Sequence, residues 1–250
     1  MPQTISPKIA WSWMLAVVGS LLLLGLVLLS VFSNRPQAGE EFPVQGFDVS
    51  HHQGDIDWKQ ISPKRYQFVY LKATEGGDFQ DRKFQHNWLA AREQGLRVGA
   101  YHFYRLCRNG AVQADNFIQT VPHKADALAP VIDLEYDSNC INTYTKEQLL
   151  KEIQLMHDRL KTHYGKPPIF YVSKNFYHLV LTDSFPHTPL WIRDYDGMPE
   201  LKDKRAWSFW QYSRQGKIKG IPKPVDLNAY RGSPAEWQRY LKNIGLSPEL

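Results

Sequence analysis

The sequence predicts an α/β protein, an irregular barrel of short parallel strands, preceded by one N-terminal transmembrane helix. Three observations carry this reading. Short apolar strand patterns alternate with helical ones from residue 46 onward, which favours a parallel sheet with helices packed outside. Eight such strands can be counted, and the last three leave no room for full helices between them. Finally, the stretch from Ile9 to Ser33 contains no charged residue.

That uncharged run includes Leu21 to Leu29, broken only by Gly25. About 20 apolar residues rising ~1.5 Å each cross a bilayer core. Trp11 and Trp13 stand where an interfacial aromatic belt would lie, and Lys8 precedes the run while Arg35, Glu40 and Glu41 follow it. A cleaved signal peptide is the competing reading. Its apolar part would be shorter, and Ser30-Val31-Phe32-Ser33 is a poor cleavage site. The expected organisation is a cytoplasmic N-terminus at 1–8, a membrane anchor at 9–33, a polar linker at 34–42 and a barrel domain at 43–250. The domain would face the periplasm or the cell exterior.

The strands follow in order as Gly46 to Ser50, Phe68 to Ala73, Arg97 to Tyr104, Ala129 to Glu135, Ile169 to Val172, Pro189 to Ile192, Trp207 to Tyr212 and Val225 to Leu227. Helices are expected from Phe84 to Gln94, closed by Gly95, and from Ala111 to Val121. The clearest helix runs from Thr145 to Tyr164. Thr145 caps its start, Leu149, Leu150, Ile153, Met156 and Leu160 keep helical spacing, and Gly165 with Pro167 stops it.

The 250 residues carry a net charge of +5 and 13% aromatics. Lys8 and Arg35 are the only charged residues before Pro36, so two of the five excess charges flank the apolar run. No basic run, zinc-ligand spacing, phosphate loop or dinucleotide fingerprint appears. Nucleic acid is therefore not expected as a partner, and neither a metal nor a cofactor is expected. A monomer is expected.

Acidic residues gather at the strand ends: Asp48 on the first strand, Asp133 and Glu135 on the fourth, Asp226 on the last. Side chains two apart on a strand share a face, so Asp133 and Glu135 point the same way. In a parallel barrel the strand C-termini form the active site. Carboxyls crowded there repel one another, which raises at least one pKa and keeps a proton available near neutral pH. Glycoside hydrolysis needs that pair of states: one acid for the leaving oxygen, one carboxylate for the positive sugar. Tyr101, Phe103, Tyr171, Trp191, Tyr195, Trp210 and Tyr212 also fall at strand ends, where sugars stack on aromatic faces. For Phe103 core packing is preferred.

These residues fall into motifs. Gly46-Phe47-Asp48-Val49-Ser50 is followed by Gln53-Gly54 and Ile56-Asp57-Trp58. Then come Leu71-Lys72-Ala73-Thr74-Glu75-Gly76, Gly99-Ala100-Tyr101-His102-Phe103-Tyr104, Asp133-Leu134-Glu135, Trp210-Gln211-Tyr212-Ser213 and Val225-Asp226-Leu227-Asn228. In this order, across 44–232, they resemble glycoside hydrolase family 25, the Chalaropsis-type lysozymes or N-acetylmuramidases. The resemblance implies an irregular (β/α)5(β)3 TIM-like barrel. It implies cleavage of the β-1,4 bond between N-acetylmuramic acid and N-acetylglucosamine in the peptidoglycan glycan strand. By motif position Glu135 would be the general acid. Asp133 would orient the 2-acetamido group or stabilise developing charge, and Asp48 and Asp226 would complete an acidic floor. Tyr101, Tyr171, Trp191, Asp194, Trp210, Tyr212 and Glu75 would shape the sugar subsites. A chitinase-like glycosidase and an inactive wall-binding module are the alternatives.

Other residues keep two readings. His51 and His52 hint at a metal, but no further ligand spacing supports one. Glu75 either reaches the groove or makes a structural hydrogen bond, and His102 reads as a satisfied barrel histidine. Arg193 stands where the family often has a small residue, and would alter a subsite or pair with Asp194. Asp57 and Trp58 read as a cap and an anchor. The fold would put Cys107 and Cys140 in adjacent loops on the catalytic face, where an exported domain would pair them.

Overall fold

The structure is a computed structural model that describes residues 38–136 and 139–247. The expected cytoplasmic N-terminus and membrane span therefore lie outside the described residues. Among the described residues, no helix is long and apolar enough to cross a membrane.

The described residues begin with a helical turn, α1 (Ala38–Glu41), where the composition led us to expect linker. Ala38 and Phe42 are buried, and the Phe42 ring meets Trp207 edge-on at 5.7 Å. The packed domain thus begins by Ala38, because these apolar side chains cover the outside of the barrel.

The strands are β1 (Gln45–Val49), β2 (Phe68–Glu75), the short β3 (Phe79–Gln80), β4 (Arg97–Phe103), β5 (Val131–Leu134), β6 (Ile169–Ser173), β7 (Leu190–Arg193), β8 (Phe209–Gly216) and β9 (Val225–Tyr230). Pairing is parallel from β1 through β2, β4, β5, β6 and β7 to β8. It becomes antiparallel from β8 to β9 and from β9 back to β1, which closes an eight-strand barrel. The two-residue β3 is a hairpin edge on β2. Helices α2 (Phe84–Glu93), α3 (Gly110–Thr120) and α4 (Lys146–Tyr164) follow β2, β4 and β5. A helical stretch, Lys174–Phe176 running into a π turn at Tyr177–Leu181, follows β6. No helix joins β7 to β8 or β8 to β9, as the spacing predicted.

Local chemistry sets the helix ends. Thr145 Oγ1 accepts from the Gln148 amide while Gln148 Oε1 accepts from the Thr145 amide, and Gly165 ends α4 at φ 66°. A helix the sequence reading did not anticipate, α5 (Pro234–Asn243), starts on the same device, with Ser233 and Glu236.

Strand alternation divides the core. Phe47, Val49, Val69, Leu71, Ile132, Leu134, Phe170, Val172, Ile192, Trp210 and Ala229 form the layer between sheet and helices. Phe68, Tyr70, Val131, Ile169, Tyr171, Trp191 and Phe209 fill the lumen, and Trp237 and Leu241 of α5 join them. The Trp237 ring lies 5.5 Å from that of Phe68, so α5 plugs the end of the barrel opposite the strand C-termini. Gly99 makes room in this lumen: a Cβ there would lie 2.2 Å from the Tyr70 ring. With one end plugged by α5, the face at the strand C-termini is where a barrel of this kind places its site.

Candidate active site

At that face Asp48, Asp133, Glu135 and Asp226 line one cavity of about 160 Å3, together with Tyr101, Phe103, Val131, Tyr171, Trp191 and Gln211. The four acids come from β1, from β5 and its C-terminal end, and from β9. Each is on the inward phase of its strand, since the apolar residues beside them face the helices. Register reinforces this: Asp48 pairs directly with Asp226 across β1 and β9.

Asp48 is held by a directed network. Its Oδ2 accepts from Gln211 Nε2 at 3.0 Å and from Asn228 Nδ2 at 2.8 Å. The Gln211 amide is oriented by two phenols, because its Oε1 accepts from Tyr171 at 2.9 Å and Tyr195 at 2.7 Å. The Asn228 amide is oriented by the Trp191 indole N–H, 3.0 Å from Oδ1. Burial still pushes Asp48 well above the ordinary carboxylate range; the Asp226 charge adds to this, and the two amides act against it.

Asp133 is raised in the same way, first by burial and then by Glu135 and Asp48, with Lys72 and Arg193 opposing. Its Oδ1 is buried without a hydrogen-bond partner among the described residues. Burial lifts Asp226 to about 6, against the fields of Arg193 and Arg214. The Tyr101 and Tyr171 phenols are also driven upward by burial and by nearby carboxyls, so both remain O–H donors. The cavity therefore holds carboxyls whose proton affinity is raised beside fixed donors, which is equipment for proton transfer to an oxygen and for steadying positive charge.

Arg193 belongs to this site. Its Nη1 lies 2.8 Å from Glu135 Oε2, not on Asp194. Asp194 is buried and paired with Lys174 Nζ at 2.6 Å, while its carbonyl accepts from the Trp210 indole at 2.7 Å. Asp194 is thus a structural pair rather than a cavity residue.

Three more expected subsite residues stand away from the cavity. Trp210 and Tyr212 lie on the opposite phase of β8 from Gln211: Trp210 packs on Phe42 and Trp207, and the Tyr212 hydroxyl donates to Gln45 Oε1 at 2.5 Å. Glu75 accepts from Lys72 Nζ at 2.7 Å, with Arg105 3.7 Å away. Gln211 and Asn228 are the site residues the sequence reading passed over. The signal was present, since Gln211 alternates with Trp210 and Tyr212, and only one of the two sets can face inward.

His102 is a satisfied histidine on the outer phase, between Thr74 Oγ1 at 2.7 Å and Gln113 Oε1 at 3.1 Å. His51 Nδ1 contacts Asp81 at 2.8 Å. Among the described residues, no three His, Cys, Asp or Glu side chains are grouped to hold a metal. Trp58 anchors through Asn87, 3.2 Å from its indole nitrogen, and Asp57 Oδ2 accepts from Gln60 at 2.6 Å. Cys107 and Cys140 form a disulfide, Cα atoms 5.6 Å apart, which ties the loop after β4 to the loop after β5 beside the cavity.

The family model for Glycosyl hydrolases family 25 matches residues 47–221. Lysozyme M1 of Streptomyces globisporus is 31% identical over 210 residues, covering 77% of this chain and 69% of that protein. The uncharacterized protein YegX of Escherichia coli (strain K12) is 34% identical over 212 residues, covering 83% of this chain and 76% of that protein. The structure of a family 25 glycosyl hydrolase from Bacillus anthracis superimposes with a TM-score of 0.75 at 40% identity, covering 79% of this chain and 93% of that one.

Proposed function

The chain belongs to glycosyl hydrolases family 25 and is a glycosidase of the lysozyme and muramidase class acting on peptidoglycan, and we propose that Glu135 is its general acid. The observation that carries this is the convergence of Asp48, Asp133, Glu135 and Asp226 in one cavity at the strand C-termini. The scissile bond is the β-1,4 link from N-acetylmuramic acid to N-acetylglucosamine. Glu135, at the end of β5, protonates the leaving oxygen.

Asp133 serves the 2-acetamido group. Its buried Oδ1, which has no partner among the described residues, is the acceptor for the acetamido N–H. That contact orients the acetamido group and steadies charge developing on the sugar ring. Asp48, fixed by Gln211 and Asn228, and Asp226 form the floor. Tyr101, Tyr171 and Trp191 shape the subsite nearest the bond, supported by their place in the cavity wall.

The membrane reading is also a proposal. Residues 9–33 anchor the chain, and the hydrolase domain works on the wall from the periplasm or the exterior, supported by the uncharged apolar run. The deciding experiment digests purified peptidoglycan and, in parallel, chitin. New reducing ends on muramic acid are expected from peptidoglycan. Ends on N-acetylglucosamine alone, or faster release from chitin, would move the enzyme to the chitinase-like alternative. No release from either polymer would leave a binding module. Retention of an intact N-terminus in the membrane fraction tests the anchor.

A further inference from the structure

A general acid must hold a proton when the substrate arrives, yet Glu135 Oε2 sits 2.8 Å from Arg193 Nη1. A guanidinium this close to a carboxyl favours the proton-free form of that carboxyl through its positive charge. The resting contact is the wrong one for acid catalysis, so the guanidinium must leave Glu135 before the bond breaks.

Asp194 has Lys174 as its own cation. Arg193 follows the inward Trp191 and the outward Ile192, which aims it at the cavity mouth. Its side chain is 24% exposed and that of Glu135 is 13% exposed, so a ligand can reach both. The charged and titratable groups around Glu135 come from several strands. Asp133 lies on β5, Asp48 on β1, Asp226 on β9, Tyr171 on β6 and Lys72 on β2, with Tyr195 following β7. Arg214 stands nearby, 5.6 Å over the Tyr195 ring and close enough to oppose the rise of Asp226. Two guanidinium groups thus stand over an acidic floor.

A neutral sugar offers no group that competes with a carboxylate for a guanidinium, whereas a second carboxylate does so in a planar, two-toothed fashion. Muramic acid carries a lactyl ether next to the scissile region. Its carboxyl is free where the peptide stem has been removed and is an amide where the stem remains, and the stem has carboxylates of its own. We propose that Arg193 is a specificity-determining residue that binds a carboxylate of the glycan, and that this exchange releases Glu135 to take up from water the proton it delivers. The inference rests on the muramidase reading above and deepens it.

The test compares full-length wild type, Arg193→Lys and Arg193→Ala on three substrates. These are glycan strands stripped of stems, the same strands with the lactyl carboxyl converted to a methylamide, and uncrosslinked strands that keep their stems. Wild type is expected to cleave stripped strands with kcat/KM about tenfold or more above the methylamide strands, the scale of one lost charge-assisted hydrogen bond. Arg193→Ala is expected to level the two, and to cleave the methylamide strands faster than wild type does because nothing restrains Glu135. Arg193→Lys keeps part of the preference. Stem-bearing strands outperforming stripped ones in wild type, with that advantage lost in Arg193→Ala, would assign the carboxylate to the stem. The same ratios in wild type and Arg193→Ala, or a wild type indifferent to all three strands, would overturn the proposal. The wild-type comparison decides even if a variant folds poorly. A wild type that exposes no muramic reducing ends on any strand would instead sink the muramidase reading.

Discussion

The Trp191 indole N–H donates to Asn228 Oδ1 at 3.0 Å, and with that carbonyl occupied the Asn228 amide nitrogen faces Asp48 at 2.8 Å. An aromatic that looks like sugar-stacking surface is therefore also a component of the acid cluster. Neither residue is near the other in sequence, and β7 and β9 are separated by β8 in the barrel.

Replacing Asn228 with Leu removes a donor to the charged form of Asp48. Losing such a donor disfavours ionisation, so Asp48 is expected to titrate at a still higher pH than in wild type. Carbon NMR of labelled aspartate carboxyls reads this directly. A midpoint that stays put or moves down would show that the contact does not tune Asp48.

Glu135→Gln keeps the shape of the side chain and removes its proton. Turnover on peptidoglycan is expected to fall by roughly two to four decades, the usual worth of general acid catalysis, while binding of glycan fragments persists. Near-normal lysis by this variant would remove Glu135 from the acid role.

Asp226 gives stability a defined pH dependence. Its carboxyl titrates near 6 in the folded protein against 3.8 for an ordinary aspartate. The folded state therefore keeps the proton longer than the unfolded chain. Its contribution is intact below the unfolded value and is lost as pH rises through about 6. The loss is on the order of 2–3 kcal/mol. Asp226→Asn escapes it: the two proteins should unfold alike near pH 4, with the variant the more stable at pH 8. Denaturant titrations at pH 4, 6 and 8 check this, and a variant less stable than wild type at pH 8 would refute it.

The disulfide closes a separation of 33 residues between the loops after β4 and β5. Loop-closure entropy for that length is worth about 3–4 kcal/mol. The Cys107→Ser, Cys140→Ser double variant should show a lower unfolding midpoint that reductant no longer changes, while wild type should fall toward it when reduced. Unfolding curves that coincide with and without reductant in wild type would mean the bridge adds no stability.

Much of the site was legible because its signals are local. Asp133 and Glu135 are two apart on an apolar strand, so they share the inward face whatever the neighbouring strands do. The helix-poor end of the chain announced the irregular closure of the barrel, because β7, β8 and β9 are joined by segments without helices. Other features depended on facts no window of sequence contains. Which of Gln211 and its flanking aromatics faces inward depends on how β8 meets its neighbours as the barrel closes. Glu75 is held by the Lys72 ammonium at 2.7 Å, a pairing made across the place where β2 shifts register against β4, which no sequence window shows.

Arg193 shows where the division falls. By itself the sequence determined the barrel, its acidic strand ends and the aromatics among them, since period and strand-end position are short-range properties. Only the tertiary structure decided that Arg193 meets Glu135 from two strands away while Asp194 takes Lys174. Charge partners are chosen by distance across a closed sheet, and that distance exists only once β5, β6 and β7 have paired.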